Sequence, residues 1–249
     1  MSELQKIAVV IDADNTQLSK IGDVLREIST HGRIVVKRAY GNWRKDSLKN
    51  WESEIKRLAI KAEQQFDYVS GKNATDMALV IDTIELLYSK IYDAFVIVSS
   101  DSDYTPLAIK LHESGVYVMG VGEKKTPESF RNACDEFIFL ENLSSLPATA
   151  PKELTPDHDK NELGTAVNIN EIHELLKKAY DTYQEDDGYV NVTTAAHFIK
   201  RAKPDFDCRT YGFTKLPQLL NSFPEKYDVS RYPGKGTVTI IGYKCKDCV

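Results

Sequence analysis

The sequence contains little cysteine, with four residues in a chain of 249. So few thiols in a chain of this length exclude a framework of disulfides as the basis of the fold. No run of about 18 apolar residues is present, which excludes a transmembrane helix. The first residues also lack the apolar segment of a secretory signal. We therefore expect a cytoplasmic protein with no membrane contact.

An excess of positive charge is also missing, because the formal net charge is -5 at pH 7. A chain with this balance does not coat nucleic acid through bulk charge. It still allows a nuclease, because a metal site needs carboxylates and a local basic strip is enough to contact phosphates. The apolar content of 42% is that of a globular protein with a sizeable core.

A zinc site is not expected either. Cys245 and Cys248 have the spacing of half a zinc site. No second pair lies nearby in the sequence, and the five histidines do not have the spacing of metal ligands.

What the sequence does contain is three acidic clusters, each next to an apolar run. They are residues 11–15 (Ile-Asp-Ala-Asp-Asn), residues 72–76 (Lys-Asn-Ala-Thr-Asp) with Asp82 beyond them, and residues 99–103 (Ser-Ser-Asp-Ser-Asp). A run of Ile and Val that ends in an acidic turn is typical of a buried parallel strand. In an open α/β sheet, ligands bind in the crevice outside the carboxyl ends of such strands.

Several carboxylates in one crevice repel each other unless a cation joins them. Mg²⁺ and Mn²⁺ are hard ions that take oxygen ligands. The clusters therefore predict a site for Mg²⁺ or Mn²⁺.

Strands and helices are predicted to alternate over the first part of the chain. The predicted strands are residues 6–11, 33–40, 66–70, 94–99, 116–121 and 136–140, and the predicted helices are residues 16–29, 48–65, 75–89, 106–113 and 127–133. Repeated β-α-β units indicate a mostly parallel, Rossmann-like sheet with helices on both faces. We assign residues 1–143 to this domain.

The character of the sequence changes after this domain. Residues 144–166 are rich in Pro, Ser, Thr and charge, and they read as a linker. Residues 167–249 form a smaller unit, with helices predicted at 169–183, 193–202 and 211–222 and strands at 227–230 and 237–243. Three helices followed by a hairpin predict a winged helix-turn-helix.

The motifs resemble those of a known family. Residues 6–140 resemble the NYN domain, the LabA-like branch of the PIN-like nuclease superfamily, through the three acidic clusters in the expected order. Residues 167–244 resemble an OST-HTH (LOTUS) domain through residues 212–220 and the closing strand. The chain departs from the NYN pattern at Ala13 and Ser100, where the family has Gly, and these changes bear on how closely substrate backbone can approach.

The resemblance implies a PIN-like fold and a metal-dependent ribonuclease that hydrolyses RNA, most simply single-stranded RNA. The family's first acid falls on Asp12 with Asn15 beside it, its second on Asp76, and its third pair on Asp101 and Asp103. Our hypothesis is that Asp12, Asp76 and Asp101 hold the metal. Asp103 would be an outer ligand or orient the attacking water, and Asn15 would hold a carboxylate or a phosphate oxygen.

Structural roles stay open for some of these acids. Asp14 and Asp103 could cap the helices that follow them. Asp76 could be stabilised in the first turn of its helix by the helix dipole. Asp82 faces another side of that helix and is either an outer residue of the site or simply solvated.

Substrate contacts are predicted on a strip where basic and aromatic residues alternate. Arg38, Trp43 and Arg44 lie at or beyond the carboxyl end of the second predicted strand, and Lys72 precedes Asp76. Such a strip suits single-stranded nucleic acid, through phosphate pairing and base stacking. The alternative is a solvated loop with Trp43 packed on the surface.

The LOTUS resemblance implies that the second domain binds RNA or a protein partner. Basic residues that could form one face are Lys200, Arg201, Lys203, Arg209, Lys215, Arg231 and Lys235. Two other functions remain possible for the chain, an inactive RNA-binding adaptor and a metal-dependent phosphatase. PIN-like folds often dimerise, so a homodimer is also possible.

Overall fold

The computed structural model describes residues 4–67, 73–144, 169–185, 188–233 and 239–246. The chain divides into two compact units, Met1–Ser144 and Ser145–Val249. Beyond Ser144, the segment predicted as a linker lies outside the described residues. No described helix has the length and apolar character needed to span a membrane.

The first unit is built on one parallel sheet. Its strands are β1 (Leu4–Asp12), β2 (Gly32–Gly41), β3 (Lys61–Gln64), β4 (Ala94–Val98), β5 (Tyr117–Gly122) and β6 (Glu136–Phe139). They lie in the order β3-β2-β1-β4-β5-β6, and every neighbouring pair is parallel. The predicted α/β fold with a mostly parallel, PIN-like sheet is confirmed.

Helices cover both faces of this sheet. They are α1 (Ile21–Ser29), α2 (Trp51–Leu58), α3 (Ala74–Tyr88), α4 (Thr105–Glu113) and α5 (Glu128–Asn132). Helices α1 and α2 pack with Ile7, Val9 and Ile11 of β1 in one core. Helices α3, α4 and α5 pack with Ala8 and Val10 in a second core on the opposite face. Side chains of a strand alternate between faces, so the continuous apolar run of β1 supplies both cores.

The helix predicted over residues 48–65 is wrong in its second half. Helix α2 ends at Leu58 because Ala59 adopts the left-handed conformation, with φ 51°. After Ile60, residues Lys61–Gln64 form β3, whose side chains are mostly exposed and, apart from Ala62, polar. An edge strand of this composition has no apolar alternation, and the third strand was therefore predicted too late, at 66–70. Phe66 and Asp67 have no regular structure, and residues 68–70 lie outside the described range.

The second unit combines helices with a small antiparallel sheet. Its elements are α6 (Ile169–Tyr183), β7 (Val190–Asn191), α7 (Val192–Ala202), α8 (Leu216–Asn221), β8 (Tyr227–Pro233) and β9 (Thr239–Cys245), with the strands ordered β7-β9-β8. Their apolar faces meet in a core that includes Leu176, Ile199, Leu219 and Tyr243.

The third helix of this unit is shorter than predicted. A 3-10 turn covers Cys208–Tyr211, and Gly212 follows with φ +82°. Helix α8 begins only at Leu216, so Pro217 lies in its first turn. Proline is tolerated there but breaks a helix interior, which excludes the predicted helix over 211–222.

Candidate active site

The acidic clusters meet where the direction of strand order reverses. Strand β1 continues towards α1 on one face of the sheet, whereas β4 continues towards α4 on the other. The neighbouring strands β1 and β4 are paired in parallel, so their carboxyl ends border one crevice. This is the position at which open α/β sheets bind ligands.

Asp12 ends β1 and its side chain is fully buried. Its carboxylate accepts hydrogen bonds from the Asn15 backbone N–H (3.2 Å), from Asn15 Nδ2 (2.9 Å) and from Ser99 Oγ (2.9 Å). Burial raises the pKa of Asp12 above its usual value, and Asp76 adds to this rise while the hydrogen bonds oppose it. All of these donors are neutral, so no protein cation among these contacts compensates the charge.

Asp76 lies in the first turn of α3 and is contacted by Tyr104. The Tyr104 hydroxyl donates to Asp76 Oδ1 at 2.7 Å, and the Tyr104 ring is completely buried. Burial raises the pKa of this hydroxyl, and the charges of Asp12, Asp76 and Asp101 raise it further. Tyr104 therefore remains a proton donor, and the three carboxylates are near enough to act on one buried group.

Asp101 and Asp103 follow β4. Asp101 caps a 3-10 turn formed by Ser102–Tyr104, because its Oδ1 accepts from the Asp103 N–H at 2.9 Å. Helix α4, which Asp103 was expected to cap, begins after Tyr104 without a side-chain cap. Asp103 instead accepts from Asn73 Nδ2 at 3.2 Å, which joins the second and third acidic clusters.

The donor set suits a hard cation but does not enclose one. Within the described ranges, no three His, Cys, Asp or Glu side chains converge closely enough to hold a metal by themselves. Mg²⁺ usually keeps several waters and takes one or two carboxylates from the protein. Among the described residues, the donors to the buried Asp12 carboxylate are all neutral, and Asp76 and Asp101 lie near it, so these residues fit an ion of this type.

A cleft of about 600 Å³ opens beside these acids. Its lining residues come from the segments after β1, β4 and β5, and they include Asn15, Asp101 and Glu123. Ligand sites in proteins commonly occupy about 300–1,000 Å³. The cleft is therefore large enough for part of an oligonucleotide.

The two departures from the family pattern have local structural roles. Ala13 is 2% exposed and packs in the core under α1 and α2. Ser100 Oγ accepts from the Glu123 backbone N–H at 2.9 Å and so fixes the segment after β5. The Ala13 side chain therefore packs in the core, and the Ser100 side chain holds the segment after β5 in place.

Arg38, predicted to contact substrate, is paired within the protein. Its guanidinium binds the Asp82 carboxylate, with Nη1 to Oδ2 at 2.6 Å, and the Tyr40 hydroxyl donates to the same carboxylate. Burial disfavours the charged guanidinium, but pairing with Asp82 raises the pKa of Arg38. Asp82 thus joins α3 to β2, so it is not merely solvated.

The remaining predicted substrate residues lie in different environments. Trp43 is half-buried, donates its indole N–H to the Glu63 carbonyl at 3.1 Å and packs against Trp51. Arg44 is exposed, with its guanidinium 5.7 Å from the Phe66 ring centroid. Lys72 lies outside the described residues.

Sequence reasoning did not select Ser99 or Tyr104 as site residues. Ser99 is the first residue of the third acidic cluster and Tyr104 follows its last, yet their partners, Asp12 and Asp76, lie 87 and 28 residues away in the chain. The signal that could have identified them is a hydroxyl side chain on either side of the Asp pair. Asp14, considered as a helix cap, makes no such contact and binds Lys45 Nζ at 3.3 Å instead.

Comparison with known proteins identifies the family of each domain. The family model of the NYN domain matches residues 6–141, which is more than half of the chain. The chain belongs to the NYN family. Its NYN domain is therefore nuclease-like. A second family model, the OST-HTH/LOTUS domain, matches residues 168–239, and domains of this type bind RNA or proteins.

Solved structures add little to this assignment. A protein of unknown function from Vibrio parahaemolyticus, VPA0982, is 16% identical, with 56% of this chain and 94% of that chain covered at a TM-score of 0.45. An uncharacterized protein from locus NE0665 of Nitrosomonas europaea is 18% identical, with 40% and 88% covered at a TM-score of 0.29. No curated protein sequence matches the chain.

The LOTUS domain of this NYN protein does not present all its predicted basic residues freely. Lys203 Nζ lies 3.1 Å from a Glu171 oxygen and 3.5 Å from Asp205. Arg209 is paired with Asp207 at 2.7 Å. These partners reduce the positive charge that Lys203 and Arg209 could offer to RNA.

Proposed function

We propose that this NYN protein is a ribonuclease that hydrolyses RNA with the help of Mg²⁺ or Mn²⁺. Asp12, Asp76 and Asp101 would hold the ion, directly or through water. Asp103 would act as an outer ligand or orient the attacking water. Single-stranded RNA is the expected substrate, because the site lies in an open cleft at the sheet edge.

The observation that carries this proposal is the environment of Asp12. A fully buried carboxylate with a raised pKa is costly in a folded protein unless a cation or proton compensates it. Asp12 lies at the crevice where the family's acidic motifs meet, so the free-energy cost of burying its charge falls at that site. Perturbed carboxylates in a cleft are typical of functional sites.

Each side chain near Asp12 has a defined task in this proposal. A bound divalent ion supplies a water of lowered pKa and neutralises charge on the phosphate. Asn15 and Ser99 orient the Asp12 carboxylate, and Tyr104 orients Asp76 through its hydroxyl. Orientation of this kind limits the rearrangement needed during the reaction.

The LOTUS domain would deliver RNA or a protein partner to the nuclease domain. RNA is the simpler substrate for both domains, since one chain would then act on one ligand. Lys215 and Arg231 are exposed and remain candidates for phosphate contacts.

The test is cleavage of end-labelled single-stranded RNA by the full chain with Mg²⁺, with Mn²⁺ or with EDTA. Asp12→Asn and Asp101→Asn remove proposed ligands. Asp46→Asn is the matched control, because Asp46 is 88% exposed at its side chain and lies outside the cleft. Metal-dependent cutting by the wild type and the control, lost in both ligand variants, is the expected result. Unchanged cutting by both ligand variants would refute the assignment.

An inactive RNA-binding adaptor is the second candidate. It is favoured by one observation, namely that Asp76 and Asp103 already have hydrogen-bond donors from Tyr104 and Asn73. RNA binding without cleavage under every metal condition would support this alternative.

A further inference from the structure

Two loops at the carboxyl edge of the sheet are held together by side-chain hydrogen bonds. The segment after β2 contains Asn42 and Trp43, and the segment after β3 contains Asp67. Asn42 Nδ2 donates to Asp67 at 3.0 Å, and the Trp43 N–H donates to Gln64 Oε1 at 3.1 Å. The Gln65 N–H also donates to the Gly41 carbonyl at 3.1 Å. These contacts fix both segments relative to the sheet.

This fixed pair of loops exposes an aromatic ring. Phe66 is 52% exposed, although most aromatic residues of the domain are buried. The Arg44 guanidinium lies 5.7 Å from the Phe66 ring centroid, within the range of a cation–π contact. The exposed Phe66 ring and the positive charge of Arg44 therefore lie next to each other.

The position of Phe66 relative to the acidic clusters follows from Lys45. Lys45 Nζ lies 3.3 Å from Asp14 and 3.7 Å from Asp67, the residue after Phe66. Strand β3 is also separated from β1 only by β2, a distance of roughly 10 Å between strand axes. Phe66 therefore lies beside the proposed active site, on the side opposite the cleft after β5.

We propose that Phe66 and Arg44 form a stacking platform for a base of single-stranded RNA next to the cleavage site. This inference rests on the proposed function, since it names how the same site holds its substrate. Any base can stack on an exposed ring, and the guanidinium can stack or contact the adjacent phosphate. Phe66 would be a binding residue rather than a catalytic one.

The first experiment locates the contact in the full chain. RNA carrying 5-iodouridine is irradiated with the protein in EDTA, which prevents metal-dependent cleavage, and the cross-linked peptide is identified by mass spectrometry. We expect a cross-link at Phe66. RNA bound only to the LOTUS domain would not give this cross-link. Cross-links confined to the LOTUS domain would overturn the proposal.

The second experiment compares RNA affinity among variants in EDTA. Phe66→Ala is expected to weaken binding about tenfold, since a stacked base contributes about 1–3 kcal/mol and about 1.4 kcal/mol is tenfold. Phe66→Tyr is expected to retain affinity. Phe66→Leu keeps apolar bulk without a ring, and it is expected to resemble Phe66→Ala.

Tyr88→Ala is the matched control, because Tyr88 is 70% exposed at the opposite end of α3 from Asp76. It is expected to bind RNA as the wild type does. RNA with abasic sites is expected to lose the difference between the wild type and Phe66→Ala. Equal affinity of the wild type and Phe66→Ala for normal RNA would refute the platform.

These readouts separate the platform from the nuclease proposal. If the wild type cleaves RNA but Phe66→Ala changes neither cross-linking nor affinity, the platform proposal is refuted and the nuclease proposal stands. If RNA binding depends on Phe66 but no metal-dependent cleavage occurs, the nuclease proposal is refuted and the platform proposal stands.

Discussion

Two carboxylates of the NYN domain, Asp12 and Asp82, have different kinds of hydrogen-bond and ion-pair partners. Asp82 is paired with the Arg38 guanidinium and accepts a hydrogen bond from Tyr40. Asp12 is more deeply buried, yet within the described part of the chain it accepts hydrogen bonds only from the neutral groups of Asn15 and Ser99. The fold therefore neutralises Asp82 and leaves the charge of Asp12 uncompensated by these contacts.

This difference separates a structural acid from a candidate functional one. A carboxylate held by an arginine connects two elements and has no need of a ligand. A buried carboxylate that lacks a cation raises the free energy of the folded state unless a proton or a metal ion joins it. We infer that Asp82 stabilises the packing of α3, whereas the role of Asp12 is to bind a metal ion.

The largest expected effect is on catalysis. Asp12→Asn should lower metal-dependent RNA cleavage about a thousandfold or more, since a metal ion contributes several kcal/mol to the transition state and about 1.36 kcal/mol is tenfold. Single-turnover cleavage measures this loss. The metal-free variant should be at least as stable as the wild type, because a buried charge is removed. If Asp12→Asn is less stable than the wild type but still cleaves RNA, Asp12 is a structural residue rather than a metal ligand.

Asp82→Asn should affect stability rather than chemistry. The change removes the closer of the two anions beside the partly buried Arg38 guanidinium and leaves Glu63 at 3.9 Å, so we expect the free energy of unfolding to fall by about 1–3 kcal/mol. Urea denaturation measures the change, with Asp46→Asn as a surface control. Loss of cleavage with unchanged stability would show that Asp82 belongs to the active site after all.

Tyr104→Phe should weaken the site by a smaller factor. Removing the hydroxyl frees Asp76 to rotate, and loss of such an orienting contact typically costs about 10–100-fold in metal affinity or activity. Titration of cleavage with Mn²⁺ should therefore show a higher concentration for half-maximal rate. An unchanged Mn²⁺ titration would mean that Tyr104 only fills the core.

The smallest expected effect is the pH dependence of stability. The pKa of Asp12 is raised in the folded protein, so the native state binds this proton more tightly than the unfolded state does. The contribution of Asp12 to stability is then fully present below its usual pKa of 3.8 and is lost as pH rises through the folded value. Thermal unfolding in EDTA should show this loss in the wild type but not in Asp12→Asn.

Added Mg²⁺ should reverse this trend, because the ion binds the ionised carboxylate. The increase in Tm caused by Mg²⁺ should therefore grow with pH over the same range in the wild type and be absent from Asp12→Asn. An equal increase in both proteins would place the ion elsewhere.

The sequence by itself determined the architecture of the NYN domain and the location of its acids. Long runs of Ile and Val such as the one in β1 can only be buried on both faces, and an acid at the end of such a run must lie at the carboxyl edge of the sheet. The same reasoning missed β3, because its polar residues carry no apolar pattern. It also began the third LOTUS helix too early, at residue 211, although Gly212 ends the preceding 3-10 turn and Pro217 belongs in the first turn of α8.

Only the tertiary structure decided which partner each polar side chain has. The Tyr104–Asp76 and Arg38–Asp82 contacts join residues 28 and 44 positions apart, and no local pattern encodes such pairings. The exposure of Phe66 likewise depends on how the loops after β2 and β3 are joined. Periodicity and composition act over neighbouring residues, whereas charge compensation depends on distances in space, and these distances exist only once the strands are assembled.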